Sequence, residues 1–311
     1  MPSFLTLPDN QRVAARPGET ILAADLRHGI AHVHACGGLA RCSTCRVVVL
    51  DGLDTLPPRN ELEQALATRL NLPESVRLAC QTSVADDHVR LRRPVLDELD
   101  VRLTQREFEQ PNQQIGEEKR LAVLFSDIEQ YTTFAEALPA YDVIHVLNRY
   151  FQLMSEVVVA HRGHISDYIG DGLMAVFGLE QEATAAADAV AAAQGMLQVL
   201  ERLNPYLRTM YGCGFRIRIG VHLGEVVVGY IGGGGLHKLA TIGDAVNVAA
   251  RIEAANKDFG TSLLVSQAVV DELGDALPIR QGFLAPLKGK KGLYRLFEVA
   301  LDDQPQPLSP A

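Results

Sequence analysis

The sequence predicts a two-domain α+β protein, and three observations lead there: its length, the crowding of cysteines toward one end, and a change of apolar pattern about a third of the way along. The chain has 311 residues, 47% of them apolar and 22% charged. At about 150 residues per domain it divides into two units, each large enough to bury a core without disulfide staples. Cys36, Cys42, Cys45 and Cys80 lie in the first third, and only Cys213 lies beyond. Around residue 120, short strands give way to a longer strand, helix, hairpin, helix pattern.

Residues 1–94 read as a small α+β unit, with strands over 4–7, 12–15, 46–50 and 89–91 and helical pieces near 19–28 and 60–70. Residues 95–119 are strongly charged and interrupted by Pro111, which suits a short helix and an exposed connector, a linker between domains. Residues 120–300 form the second domain. LAVLFSDI is a buried strand, and YDVIHVLNRYFQLMSEVVVAHRG carries apolar residues at helical spacing. HISDYIGDGLMAVFG is a hairpin, because two apolar runs flank Gly170, Asp171 and Gly172. The alanine-rich run 183–203 is a second helix, FRIRIGVHLGEVVVGYIG a further strand pair, and DAVNVAARIEAAN another helix. Residues 301–311 are a flexible tail.

Composition excludes several classes of function. With 29 basic and 38 acidic residues the net charge is −9, the wrong sign for non-specific binding to nucleic acid or an anionic membrane. No run approaches the ~18 apolar residues of a membrane-spanning helix, and the opening MPSFLTLPDN has no basic region followed by an apolar one. A cytoplasmic location is expected. Thiols stay reduced there, so the cysteines are expected to be metal ligands or core residues rather than disulfide partners.

Cys36, Cys42 and Cys45 are separated by five and two residues, and Cys80 follows after another 34, with Gly37 and Gly38 inside the loop. Three thiolates in one tight loop can wrap a cluster while a distant fourth completes the second iron. A four-cysteine zinc site would more commonly show two close pairs. CGGLARCSTCRV, RLACQT and the preceding PGETILAADLRHGI resemble the adrenodoxin-like 2Fe–2S ferredoxins over nearly all of residues 1–94. That resemblance implies a β-grasp fold, a 2Fe–2S cluster on Cys36, Cys42, Cys45 and Cys80, and a redox partner. Four cysteines complete the ligand set, so His28, His32 and His34 are read as surface residues, and Cys213 as a small buried one.

In the second domain Asp127 ends one apolar strand and Asp171 sits at a hairpin tip. Carboxylates where buried strands emerge can share divalent cations, and oxygen donors beside a phosphate suit Mg²⁺ or Mn²⁺. Each alone could equally be a turn residue. FSDIEQYT, IGDGLMAVFG, GVHLGEVVVGYIG, TIGDAVNVAARIE and LKGKKG, however, follow the order and approximate spacing of the class III nucleotide cyclase catalytic domain, over about residues 118–299. The resemblance implies a βαββαβ core with helices on one face and two metal ions per site on Asp127, Asp171 and the backbone carbonyl of Ile128. It further implies that Asn247 and Arg251 act on the transition state and that Lys288 binds the triphosphate. The family's sites form between two catalytic domains, which implies a homodimer with composite sites. Gly229 to Gly235 lack the Lys-Ser/Thr of a phosphate loop and read as a hairpin, while Met154 and Met174 read as core.

The match departs at the base-reading positions. Adenylate-specific members usually carry Lys four residues before the second metal Asp and Thr or Asp seven before the Asn; this chain has Asp167 and Ala240. Thr241 or Lys238 could take part if the strand carries a bulge. ATP is the expected substrate because adenylate cyclases predominate among soluble relatives. Asp167 resembles the carboxylate of guanylate cyclases, and GTP is the alternative. The fusion suggests a cyclase whose ferredoxin domain biases the catalytic dimer through residues 95–119, with Leu96, Leu99, Leu103 and Phe108 as the linker's apolar positions. The rivals are an electron-transfer ferredoxin with a silent cyclase-like module and a cluster that serves only as a staple.

Overall fold

The computed structural model describes residues 2–109, 116–233 and 236–301, with no side-chain description for 106–109, 233, 236 and 237. It divides into two compact units, Met1–Ile115 and Gly116–Ala311. Among the described residues no helix is long and apolar enough to cross a membrane.

In the first unit β1 (Ser3–Leu7) and β2 (Gln11–Ala14) form a hairpin. They are followed by α1 (Ile21–Arg27), β3 (Arg46–Asp51), α2 (Glu61–Arg69), β4 (Val76–Leu78), β5 (Val89–Arg92) and α3 (Glu98–Glu109). The sheet order is β2-β1-β5-β3-β4, with β1 parallel to β5. Its inward positions Phe4, Val13, Val47, Val49, Val89 and Leu91 bury Ile21, Leu22 and Leu66 from the helices. The side chains of Thr20 and Asn60 start α1 and α2 by accepting from the N–H groups of Ala23 and Glu63. Strand β4 has no counterpart among the elements expected from sequence, because three residues are too few for alternation to register. It is fixed instead by a buried pair, Arg77 to Glu63 at 2.9 Å, with Glu63 also accepting from the N–H of Leu78 at 2.6 Å. On α3, Leu96 just before it and Leu99 and Leu103 within it are exposed, while Phe108 lies outside the described side chains.

The second unit runs β6 (Glu117–Ile128), α4 (Tyr131–Ala137), α5 (Ala140–Ala160), β7 (Gly163–Ile169), β8 (Gly172–Phe177) and α6 (Ala185–Tyr211). It continues with β9 (Ile217–Gly233), β10 (Leu236–Ile242), α7 (Asp244–Phe259), β11 (Leu263–Ser266), α8 (Gln267–Leu273), β12 (Ile279–Pro286) and β13 (Leu293–Val299). The strand order is β12-β13-β11-β9-β6-β8-β7, with β10 paired to β9. The segment β6 to β9 is thus a βαββαβ core.

Strand β6 reads as an unbroken apolar run because both of its faces are covered. Ala122 and Leu124 join the cluster formed with α5 and α6, whereas Leu121 and Val123 join Ala245 and Ala249 of α7 on the opposite face. The core helices therefore share one face and α7 seals the other. Helix α7 crosses β9 at Gly220, where a Cβ would come within 2.1 Å of the backbone nitrogen of Glu253. Full burial of Ile252 contributes about 1.5–3 kcal/mol to holding the helix there. The alanine-rich helix continues past Pro205 to Tyr211, because Leu203 and Leu207 on either side remain buried. Strand β6 starts at Glu117, inside the segment read from sequence as linker, since 117–120 pair with Val228 to Glu225 of β9. Met154 and Met174 are core residues; Cys213 is half-exposed rather than buried, standing beside Gly212 and Gly214 in the turn after α6.

Candidate functional sites

Between α1 and β3 the chain has no regular structure and instead winds through Gly37, Gly38 and Ala40 at φ of 72°, 85° and 52°. This winding turns successive N–H groups inward. Those of Arg41, Leu39 and Gly38 bond the Cys36 sulfur, which also meets Cys42, and together they outweigh burial to lower its thiol pKa. Cys80 bonds Cys45, and chiefly through that bond its thiol is held down at about 6 against burial, helped by Gln81 and the N–H of Ala40. The Cys42 sulfur lies 3.1 Å from Thr44 Oγ1. Four sulfurs in two contacting pairs, with N–H donors on Cys36 and Cys80 and with Cys45 pushed up by its bond to Cys80 and by burial, have the donor chemistry a 2Fe–2S cluster needs.

One histidine expected at the surface is not there. His32 is 3% exposed, with Nδ1 2.7 Å from Asp25 Oδ2 and Nε2 3.2 Å from the carbonyl oxygen of Cys45. His28 and His34 are half-buried, each bonding a nearby backbone carbonyl.

In the second unit, Asp127 is the penultimate residue of β6 and Asp171 occupies the turn between β7 and β8. Gly172 lets the turn close on β6, since a Cβ there would lie 2.8 Å from the carbonyl of Ser126. The two carboxyl groups meet. Burial first, then the Asp127 charge, raises the pKa of Asp171, which also accepts from the N–H of Ile128. Arg218 lies directly opposite Asp127 in the β6–β9 register and donates to its Oδ2 at 2.9 Å. The same guanidinium reaches Glu253 of α7, Nε to Oε1 at 3.3 Å. Glu253 is pushed up to about 7 by burial and by Asp127 and Asp171, against the pull of Arg218. Asp127 and Glu253 thus share one arginine while Asp171 stands against Asp127, an imbalance that a divalent cation at the aspartates would correct.

Asn247 and Arg251 stand exposed on one face of α7, four residues apart. Lys288 is exposed in the β12–β13 loop, which Lys290 ties to Asp244 at the start of α7. Among the described residues no hydrogen bond or ion pair joins Asn247, Arg251 or Lys288 to Asp127 or Asp171. At the base-reading positions, Asp167 bonds Lys238 at 2.6 Å, and Ala240 and Thr241 are buried. The irregularity falls in β7, between Ile165 and Asp167, while β10 pairs with β9 without a shift.

Arg218, Glu253 and Lys290 were not singled out from sequence. For Arg218 the signal was available: the two strand segments, aligned antiparallel, set it across from Asp127.

The family model described as the adenylate and guanylate cyclase catalytic domain matches residues 114–293, and that of the 2Fe-2S iron-sulfur cluster binding domain matches residues 5–85. Adenylate cyclase 1 of Rhizobium meliloti (strain 1021) is 36% identical over 184 residues, 58% of this chain, and the chain spans only 27% of that relative's length. A 2Fe-2S ferredoxin of Pseudomonas aeruginosa is 42% identical over 88 residues, 28% of this chain and 79% of the relative. The crystal structure of the guanylyl cyclase Cya2 superposes with a TM-score of 0.56 at 30% identity, covering 63% of this chain and 99% of that one.

Proposed function

The chain belongs to the adenylate and guanylate cyclase catalytic domain family, with a 2Fe-2S cluster binding domain ahead of it, and from that membership we propose a homodimeric, redox-regulated cyclase that converts ATP to cyclic AMP and pyrophosphate. The observation that carries this reading is the meeting of Asp127 and Asp171, whose mutual repulsion calls for a cation. Both side chains, with the backbone carbonyl of Ile128, would hold two Mg²⁺ or Mn²⁺ ions. Bound there, the ions supply a lowered pKa at the ribose 3′-hydroxyl and neutralisation of the triphosphate.

In the reaction the 3′-hydroxyl releases its proton to solvent as its oxygen bonds to the α-phosphorus, the bond to the bridging oxygen breaks, and pyrophosphate leaves with the electron pair. Arg251 can meet the charge on the non-bridging α-oxygens with two parallel N–H bonds, while Asn247 holds the ribose. Lys288 neutralises the terminal phosphates. Arg218 holds the Asp127 carboxylate in a fixed direction and is itself anchored by Glu253. Asn247 and Arg251 act on the site of a second copy, so two chains build two equivalent sites and a lone chain is inactive.

Lys238 and Asp167 read the base. The ammonium donates to adenine N1 and the carboxylate accepts from the N6 amino group. A second reading, GTP, is favoured by that same carboxylate, which matches the adjacent N1–H and N2 amino donors of guanine, and by the likeness to a guanylyl cyclase structure.

The ferredoxin domain, residues 1–94, biases two arrangements of the catalytic dimer, residues 120–300, through residues 95–119. The test is cyclic nucleotide formation by anaerobically purified protein with Mn²⁺, given ATP and GTP separately, in oxidised and dithionite-reduced states. ATP turnover that differs between the states is the expected result. Faster turnover of GTP moves the assignment to guanylate cyclase, and equal rates in the two states leave the cluster a staple. No product, with an intact cluster spectrum and a dimer, overturns the enzyme and leaves an electron-transfer ferredoxin bearing a silent module.

A further inference from the structure

His32 and Asp25 are buried, with side chains 1% and 0% exposed, in a core otherwise built from Ile21, Leu22, Ala24, Ile30 and Cys45. An ion pair in such surroundings is a poor source of stability, because desolvation offsets the attraction that apolar groups of the same size would replace without loss. The Asp25 carboxyl has His32 as its hydrogen-bond partner, and its Oδ1 has none among the described residues.

Both imidazole nitrogens face oxygen. Nδ1 lies 2.7 Å from Asp25 Oδ2, and Nε2 lies 3.2 Å from the carbonyl oxygen of Cys45. A carbonyl only accepts, so Nε2 carries a hydrogen and donates it. The ring thus links the buried Asp25 carboxyl to the backbone of a cysteine beside the loop, with its N–H directed at the Cys45 carbonyl.

We propose that Asp25 and His32 are positioning residues for the iron–sulfur cluster, fixing the Cys45 backbone and raising the cluster's reduction potential. The proposal rests on Cys36, Cys42, Cys45 and Cys80 holding a 2Fe–2S cluster. One-electron reduction adds a negative charge to a site that already carries four thiolates. A hydrogen-bond donor dipole pointed at one ligand's backbone stabilises that added charge, as outer partners do at other metal centres. Thr44 fastens the neighbouring turn from its other side, accepting from the N–H of Ala35 at 2.9 Å. His32 is therefore the polar contact whose removal changes the electrostatics without unlacing the loop.

The experiment is a dye-mediated redox titration of the full-length protein followed by electron paramagnetic resonance, with iron and sulfide measured per chain. The variants are the apolar replacement Asp25→Leu/His32→Leu and the milder Asp25→Asn. Both should retain the cluster, and the midpoint potential should fall in the order wild type, Asp25→Asn, double variant. A double variant with wild-type iron and sulfide content and an unshifted potential overturns the proposal. If the double variant fails to assemble, an unshifted potential in cluster-loaded Asp25→Asn overturns it equally. A wild-type chain that binds no cluster would instead refute the cluster assignment, a separate failure visible in the iron and sulfide content.

Discussion

The cysteine loop and the carboxylate site handle concentrated negative charge in opposite ways. In the loop, the compensating donors come from the same short stretch of chain: the N–H groups of Gly38, Leu39 and Arg41 turn onto Cys36, and that of Ala40 onto Cys80. At the carboxylates, Asp127 and Glu253 have Arg218 between them and Asp171 stands against Asp127, while Asn247 and Arg251 stand exposed on α7 without a bond to them among the described residues. One site is complete within its own unit. On the proposed reading, the other leaves its charge for a cation and substrate to meet, and Asn247 and Arg251 serve another copy. A site formed by backbone geometry is ready once the domain folds, and one assembled from two surfaces can be regulated by moving them.

The sharpest way to break this contrast is to divide the catalytic groups between chains. Asp171→Asn should lower cyclase turnover by roughly 10³-fold or more, since it removes a metal-holding carboxylate, and Arg251→Ala should lower it by about 10²–10³-fold. Mixed in equal amounts the two inactive chains should recover about a quarter of wild-type activity, because half the dimers are mixed and each has one intact site. No recovery on mixing would mean that Asn247 and Arg251 serve the carboxylates of their own chain. The corresponding change at the cysteines, Cys80→Ser, should lose the cluster in every chain, with no rescue by mixing, as read by iron content.

Arg218→Ala addresses the shared charge. It leaves Asp127 and Glu253 facing each other without a cation, and because Asp127 is 35% exposed, solvent screens part of the loss. Thermal unfolding of the metal-free protein should shift downward, and Mn²⁺ should restore part of the loss. An unchanged unfolding temperature would show that the carboxylates are already well solvated.

Much of this was legible in the sequence because it is local. The Cys36 to Cys45 spacing, the apolar run ending at Asp127 and the turn at Asp171 each sit within a dozen residues. What stayed hidden depends on register and tertiary approach. Arg218 meets Asp127 only when β6 and β9 align, and Glu253 joins them because Gly220 lets α7 lie against the sheet. Lys238 finds Asp167 across two strands far apart in sequence. The burial of His32 depends on Asp25, seven residues back on α1, which the intervening turn folds onto it.

Glu253 gives a smaller effect with a definite sign. Burial, with the charges of Asp127 and Asp171, holds its carboxyl at about 7 against 4.5 ordinarily. Between those values the native protein keeps a proton that the unfolded chain has released, so stability falls as pH rises through the window and levels off above it. The contribution is at most ~3 kcal/mol. His222, held down at about 4 by burial and then by Lys290, contributes the opposite slope up to its ordinary 6.5. The effect is therefore read above that value and against the variant: metal-free wild type should lose more stability between pH 6.5 and pH 8 than Glu253→Gln does. The same pH dependence in wild type and Glu253→Gln would contradict the charge imbalance at the site.

The smallest expected effect concerns what joins the two sites. Leu96, Leu99 and Leu103 are exposed at 47%, 55% and 45%, apolar positions at helical spacing on and just before α3. Their exposure means that Leu99→Ser/Leu103→Ser removes little buried area, so stability and basal turnover should stay within about twofold of wild type. If residues 95–119 carry the coupling, the ratio of oxidised to reduced activity should collapse toward one while both spectra of the cluster persist. A ratio unchanged from wild type would separate the two halves functionally. The ferredoxin would then act on the catalytic dimer by a route other than this helix, or not at all.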